Sequence, residues 1–478
     1  MERARVRGMN LNPFSRARQD IDESPSLDVE RDGKLFAPVL RAGRPFYVTV
    51  GILSAIVLWA VFAFLTQYSD GLGVTGLNRP VYWGFYITNF VFFIGISHAG
   101  TLISAILRLC HAEWRRAITR SAEVITVLVL FFGVGNVVID LGRPDRALFV
   151  IQHGNFSSPL LWDVTSITMY LTASTIYLFL PLIPDIALVR DKLKEYAGFG
   201  RRVSRWRLKF YTALSLGWTG SEKQQRRLNR AIAVMAVLVI PIAVSVHTVV
   251  SWVFAMTIQP MWHSTIFGPY FVAGAIFSGI AALIIAMAII RRVYHLEEYL
   301  KPVHFNNLGI LLLVMTLLWF YFTFAEYLTS YYGAEPAHMK VFWEKISGHY
   351  SVEFWSMVVL CFVIPMAILS RRRTRTVTGT VIASASVTMG MWLERFTIVV
   401  PTLINPRLPY ERGLYHPTWV EVSITAGCFA MFILLYVVFT KLFPIVSIWE
   451  VREGEEKGVQ ETEERVKSYL PGVEAAAD

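Results

Sequence analysis

The chain has 478 residues, 54% of them hydrophobic and 17% charged, and its 45 Lys and Arg against 35 Asp and Glu give a net charge of +10. A soluble globular protein carries about a quarter charged residues, so this chain has too little polar surface to be one. Its apolar residues come in long runs, and a run of about 20 crosses the ~30 Å hydrocarbon layer at a rise of 1.5 Å per residue.

Residues 1–45 are polar and of mixed charge, without the apolar stretch of a secretory leader, and are expected to form an N-terminal tail. The runs that follow predict spans over 46–67, 82–109, 119–140, 160–183, 231–257, 269–290, 305–331, 352–370, 376–400 and 418–443. Aromatic residues mark many of the ends, among them Tyr82, Trp83, Trp114, Trp162, Tyr270, Tyr331, Trp343, Trp419 and Trp449, as amphipathic rings do at the headgroup level. The expected class is therefore an all-α membrane protein of about ten transmembrane helices. With the N-terminus inside, the tails and even-numbered loops hold 37 Lys and Arg and the odd-numbered loops 7. That bias places both termini in the cytoplasm of a bacterial inner membrane. It accounts for the basic charge by anionic lipid at the loop 184–230, with no nucleic-acid partner. The segment 444–478, acidic from Arg452 onward, is expected to be a solvated cytoplasmic tail.

Only Cys110, Cys361 and Cys428 are present, far apart in sequence. No C-x-x-C, C-x-x-C-H or cluster spacing exists, so the chain is expected to ligate no iron–sulfur cluster or c-type haem. Of ten histidines only His98 and His247 lie well inside spans, which leaves room for one bis-histidine haem at most.

An ionisable side chain inside a span costs about 2.5–3.5 kcal/mol on insertion scales and usually faces the bundle interior. Those predicted inside spans are His98, Asp140, Asp163, His247, Glu326, Glu394 and Arg395, with Glu353 and Glu421 nearer helix ends. His98 lies in Gly95-Ile96-Ser97-His98-Ala99-Gly100-Thr101, where Ser97, Thr101 and Ser104 at i, i+4 and i+7 form a small polar stripe. Two readings fit it: a histidine that fixes helix packing, and a functional group. Asp140 closes the third span in Asn136-Val137-Val138-Ile139-Asp140-Leu141-Gly142-Arg143-Pro144, where Gly142 and Pro144 end the helix. Spacing alone does not separate an Asp140–Arg143 ion pair from a carboxylate that accepts a proton. Glu394 and Arg395 are adjacent, about 100° apart on a helix, so each is expected to need its own partner; with Glu326 and His247 they fit a proton relay and a structural network equally.

The run Asp140-Leu141-Gly142-Arg143-Pro144-Asp145-Arg146 resembles the Asp-Leu-Gly-Arg-Pro signature of the NrfD/PsrC family of quinone-interacting membrane subunits. The second span, with its glycines, His98 and Arg108, is similar to that family, as is Pro159-Leu160-Leu161-Trp162-Asp163-x-x-Ser166-x-x-x-Tyr170 in the fourth. The resemblance covers about residues 80–440, and ten spans with a long basic loop look most like the ActC branch of alternative complex III. It implies two four-helix bundles, here 82–257 with the basic loop and 269–400, between flanking helices 46–67 and 418–443. It implies electrons leaving to an iron–sulfur subunit and then a multi-haem c-type cytochrome, with a second NrfD-like membrane subunit alongside. A duplication of this kind would align Arg108 with Arg292 and Gly95 with Gly279, with His98 on Ala282.

On this reading the first bundle binds menaquinol or another quinol near the external face. His98 and Asp140 would meet its hydroxyls, Arg143 would hold Asp140 ionised, and Thr101 and Asn136 would lie beside them. Asp163, His247, Glu326, Glu394 and Arg395 would carry protons. Rival readings are a quinone-reactive anchor working in the other direction, as in polysulfide reductase, and a secondary transporter, which also buries charges. His98 lies ~24 Å along its helix from Tyr82 while Asp140 is at the external end of its own, so successive stations on a proton path are also open.

Overall fold

The computed structural model describes residues 33–40, 43–98, 100, 103–198 and 204–456. Thr101, most of the expected N-terminal tail and the chain beyond residue 456 lie outside the described residues. Ten helices answer to the ten expected spans: α1 Arg44–Asp70, α2 Phe85–His98 resuming as Ser104–Leu109, α3 Thr119–Asp140, α4 Pro159–Gly198, α5 Glu222–Ala255, α6 Phe267–Val293, α7 Pro302–Gly333, α8 Ser351–Leu369, α9 Val377–Leu403 and α10 Trp419–Leu442. Eight of them are long and apolar enough to cross a membrane. The other two are α2, which is interrupted, and α9, which carries Glu394 and Arg395. No strand occurs among the described residues.

Local chemistry sets the helix ends. Pro45 and Pro302 open α1 and α7 where a missing N–H has no cost. Thr418 and Glu421 form a capping box on α10, and Gly71 at φ +78 ends α1 in a conformation glycine tolerates.

Helices α2–α5 pack as a ring, α2 on α3, α3 on α4, α4 on α5 and α5 back on α2; α6–α9 do the same. The rings meet through α6, which packs on α2 and α5, and through α9 against α2. The most apolar stretch of α6 is 67% buried, while that of α1 is 11% buried, so α6 is central and α1 faces lipid. α1 pairs with α10, and α10 leans on α2 and α3. The helices aligned as repeats, α2 and α6, touch where Gly95 faces Ser278 and Ala275, the close approach that small residues allow between membrane helices.

Three expectations are corrected. The region 184–230 is largely helical rather than loop: α4 runs on to Gly198 through Pro181 and Pro184, a further helix spans Arg205–Leu214, and α5 begins at Glu222. The Pro181 carbonyl accepts from Arg120 Nη2 and from Trp449 Nε1, each at 2.8 Å, so the backbone disturbed by the prolines is satisfied from outside the helix. The start of the C-terminal tail is also part of the fold. Ile445, Val446, Ser447, Ile448 and Glu450 are buried; this apolar run is too short to register as a span, yet it closes the end of the first bundle. Finally, α2 is not continuous. Residues 100 and 103 lie in a wider, π-type turn, a feature frequent at functional sites.

That turn depends on Gly100. A Cβ there would stand 1.8 Å from the Ala122 carbonyl oxygen and 2.0 Å from Thr126 Oγ1. Gly100→Ala is therefore expected to force α2 from α3 and destabilise the protein by about 1–3 kcal/mol, read as a drop in Tm of the detergent-purified chain.

Candidate functional site

Polar side chains gather in three places. The first is the middle of the first ring. His98 is fully buried, with Nε2 2.6 Å from the Ala243 carbonyl of α5 and Nδ1 3.2 Å from that of Ile94. Its ring meets His247 at a centroid distance of 4.0 Å and Tyr170 at 5.4 Å. Tyr170 and Thr126 both donate to the Ser97 carbonyl, at 3.0 and 2.7 Å. Both His247 nitrogens are buried without a partner. The imidazoles touch edge to face instead of standing apart across a macrocycle, so their geometry does not suit paired haem ligands.

From this centre a polar row runs along α4 in both directions. Asp163, Ser166, Tyr170, Ser174 and Tyr177 are buried on one face, as spacings of three, four and seven residues require. Asp163 Oδ1 has no partner. At the other end Ser104 donates to Glu123 Oε1 at 2.7 Å and lies 3.2 Å from the Tyr177 hydroxyl.

Beyond Glu123 the tail segment seals the ring. Glu450 receives Arg108 Nη2 at 2.5 Å and Arg115 Nη1 at 3.3 Å. Burial pushes the Glu450 carboxyl up, but Arg108 and Arg115 outweigh it and hold it below the ordinary value. Arg120 pairs with the fully buried Asp185, and Asp185 accepts the backbone N–H of Ile448 at 3.1 Å and of Trp449 at 3.2 Å.

The second place is the opposite end of α3. The side chain of Asp140 has Oδ1 buried and unpartnered, with Glu421 and Tyr86 as electrostatic neighbours. Glu421 accepts three hydrogen bonds, from Gly76 N at 2.7 Å, the Tyr415 hydroxyl at 2.6 Å and Thr418 N at 3.1 Å. The Tyr86 hydroxyl donates to Gln67 Oε1 at 2.5 Å, and Gln67 Nε2 donates to the Ile139 carbonyl at 3.0 Å. One turn from Asp140, Asn136 Nδ2 donates to the Phe132 carbonyl at 2.8 Å. Its Oδ1 lies 3.5 Å from Asn89 Nδ2, which also donates to Thr425 Oγ1 at 2.9 Å. Trp392 Nε1 completes the group by donating to Asn89 Oδ1 at 2.9 Å.

Thr101 lies outside the described residues, and the other four residues expected around one ring, His98, Asp140, Arg143 and Asn136, are not gathered in one place. Asn89 and His98 are nine residues apart on α2, half a turn out of phase and ~13 Å apart in height, so Asn136 and His98 serve opposite faces. Thr126, level with Ser97, is fourteen residues from Asp140 on α3, or ~21 Å. Arg143 does not hold Asp140: it is exposed and pairs with Asp145 at 3.1 Å, because the chain turns away at Gly142, φ +64. This pair holds the Asp145 carboxyl below its ordinary value.

The third place is the second ring. Glu394 and Arg395 do meet, Oε2 to Nη1 at 2.9 Å, both fully buried. The contact is poorly aligned for a hydrogen bond, since neither atom finds a hydrogen-bond partner. The expectation of separate partners is corrected here, because two long side chains curl across the 100° that divides their Cβ atoms. Trp319 Nε1 donates to Glu394 Oε1 at 3.3 Å, and the Arg395 guanidinium lies 4.8 Å from the Phe271 ring centroid. Arg395 is an electrostatic neighbour of His247, which joins the two rings. Glu326 lies near Ser264, and its Oε2 is buried and unpartnered.

Residues 73–406 match the family model described as polysulphide reductase, NrfD. The chain belongs to the NrfD family. The NrfD match takes in α2–α9, both rings, and leaves out α1 and α10. Among relatives of this NrfD protein, a putative membrane subunit of a dimethyl sulfoxide reductase from Halobacterium salinarum is 24% identical, over 83% of this chain and 91% of its own. A selenate reductase subunit from Mesobacillus selenatarsenatis is 24% identical, over 84% and 95%. An Hdr-like menaquinol oxidoreductase integral membrane subunit from Archaeoglobus fulgidus is 23% identical, over 85% and 95%.

Several residues in the NrfD core and its flanks escaped sequence reasoning. Glu123 sits near the start of α3, and Asp185 lies just past the apolar run expected as the fourth span, where a carboxylate is ordinarily solvated. Asn89 is uncharged, and a search for ionisable groups passes over it. Gln67 is uncharged and comes from a flanking helix, and it reaches Asp140's surroundings, as the already noted Glu421 does, only because α1 and α10 fold onto the first ring. Spacing carried one usable signal, the seven-residue recurrence of Asp163, Tyr170 and Tyr177.

Proposed function

We propose that this NrfD protein is the quinol-oxidising membrane subunit of an electron-transfer complex of the alternative complex III type. A menaquinol-type ring would dock at the outer end of the first ring of helices, with both chain termini in the cytoplasm. The observation that carries the reading is the half-buried Asp140 carboxylate, whose Oδ1 is buried and unpartnered, with no cation holding it among the described residues. Oxidation of a quinol releases two protons and two electrons, so the site needs a base with an exit. Asp140 is that base, since Glu421 beside it already accepts three hydrogen bonds, and Asn136 and Asn89 are hydrogen-bonding partners within reach of the ring. An apolar groove of 360 Å³ lined by Phe92, Met389, Trp392 and Phe429 lies beside Trp392 and suits an isoprenoid tail.

Electrons leave to an iron–sulfur subunit docked outside and on to a multi-haem c-type cytochrome, with a second NrfD-like subunit in the membrane. The row Asp163, Tyr170, His98, His247 and Glu123 fits proton movement through the first ring, and Glu326 and Glu394 fit it in the second, with Arg395 beside them as a fixed charge. The names of the relatives support a quinol partner, one of them being a menaquinol oxidoreductase subunit.

The test is binding of a quinol analogue to the purified complex, followed by fluorescence quenching. The wild type is expected to bind tightly and Asp140→Asn at least ~10-fold more weakly, because the carboxylate accepts a charge-assisted hydrogen bond worth about 1.5–3 kcal/mol. Equal binding by the variant would remove Asp140 from the ring site. No binding by the wild type would leave a membrane anchor.

A further inference from the structure

We propose that Lys345 is the group through which the second ring of helices exchanges a proton with the outer water phase, taking it from Glu326. The proposal rests on the quinol-coupled reading above and extends it to a residue outside the spans.

Lys345 ends a short helix, Pro336–Ile346, that lies between α7 and α8 and packs on α7, α8 and α9. Val341 and Phe342 fix this helix by burying themselves against Met261 and Tyr327. Glu344 fixes it from the other side: it pairs with Arg412 and accepts the His349 N–H at 3.0 Å. Lys345, one residue on and about 100° round, is turned inward. Only 4% of it is exposed, and its ammonium stands 5.8 Å from the Tyr327 ring centroid.

Tyr327 follows Glu326 on α7, whose Oε2 lacks a partner. Trp319, Thr323 and Glu326 recur on one face of α7 at four and three residues and are all buried. They lead from Lys345 to Glu394, which Trp319 holds. From there Arg395 acts on His247, and His247 touches His98. A polar row therefore joins the centre of the first ring to the water-side helix of the second, and Lys345 is its last member.

The charged and titratable groups on the elements around Lys345 include Glu326 and Tyr327 on α7, Glu353 on α8, Glu394 and Arg395 on α9, His263 before α6, and His338, Lys340 and Glu344 on its own helix. Burial pushes the Lys345 amine down to about 8 from 10.5, while Glu326 and Glu394 draw it partly back. An amine held there gains and loses a proton at modest cost near neutral pH. In the step itself a bridging water takes the proton of the Glu326 carboxylic acid as it gives one of its own to neutral Lys345, so that an O–H bond of the acid breaks and an N–H bond forms. The ammonium then gives that proton to water outside, and both groups return to their starting states.

The test uses the purified complex in liposomes, with quinol oxidation and external proton release measured together. The wild type is expected to release more protons per quinol than the two of the chemistry itself. Lys345→Met and Lys345→Arg should both fall to that chemical value with electron transfer kept within about twofold, since a guanidinium does not give up its proton. Restoration by arginine would make Lys345 a structural charge and overturn the proposal, as would an unchanged ratio in Lys345→Met. Only the chemical protons from the wild type would sink the Lys345 proposal and leave quinol oxidation standing. No quinol oxidation at all would sink both.

A second readout needs no turnover. Between pH 8 and 10.5 the unfolded chain holds a proton on Lys345 that the folded chain lacks, so this lysine makes stability rise with pH across that window. Thermal unfolding should show the rise in the wild type relative to Lys345→Met; a flat difference would contradict an amine held low.

Discussion

Replacing His98 with leucine is expected to lower quinol oxidation by the purified complex ~100-fold while leaving the affinity for a quinol analogue within about twofold. The separation of effects follows from position. His98 is level with Thr126, ~21 Å along α3 from Asp140, so it lies outside hydrogen-bond reach of a ring docked there. Its imidazole is in contact with His247 and Tyr170, between Asp163 at one end of the polar row and the Ser104–Glu123 pair at the other. Removing a group that passes protons typically lowers a rate 10²–10⁴-fold. His98→Gln serves as the fold control, because its amide can still donate toward the Ala243 carbonyl that His98 Nε2 faces. A matching loss of affinity in the leucine variant would move the ring site to His98, and full activity would reduce His98 to helix packing.

Arg120→Leu is expected to destabilise the chain by about 3–5 kcal/mol, the loss that follows when one member of a buried ion pair is removed. Arg120 and Asp185 are at most 1% exposed. Arg120 also donates to the Pro181 carbonyl and, at 3.1 Å, to Ser447 Oγ. Without it, a buried carboxylate keeps only the Ile448 and Trp449 amides as partners. Thermal unfolding in detergent measures the loss, and protease sensitivity near Trp449 reports release of the tail. The double variant Arg120→Leu, Asp185→Leu should recover part of the stability, because no charge is then left buried alone; the two amides still lose their acceptor, so recovery is incomplete. Additive losses in the double variant would mean that the two residues do not act as a pair.

The sequence alone determined the class and the helix positions of this protein. Runs of about twenty apolar residues have one stable outcome in a bilayer, a helix that satisfies its own backbone, so the spans expected at 119–140, 269–290 and 376–400 coincide with α3, α6 and α9 within a few residues. The Asp-Leu-Gly-Arg-Pro run marked the family, and the cost of burying charge picked out Asp163, Glu326, Glu394 and Arg395, which are all buried. Tertiary structure decided which of them meet. His98 and His247 are 149 positions apart in sequence and in contact in space. Arg143, three residues from Asp140, turns away to Asp145. Periodicity fixes the face and height of a residue on its own helix, but not the rotation and depth of one helix against another. Those are set by close approaches such as Gly100 on Ala122 and Gly95 on Ser278, which exist only once the helices have packed.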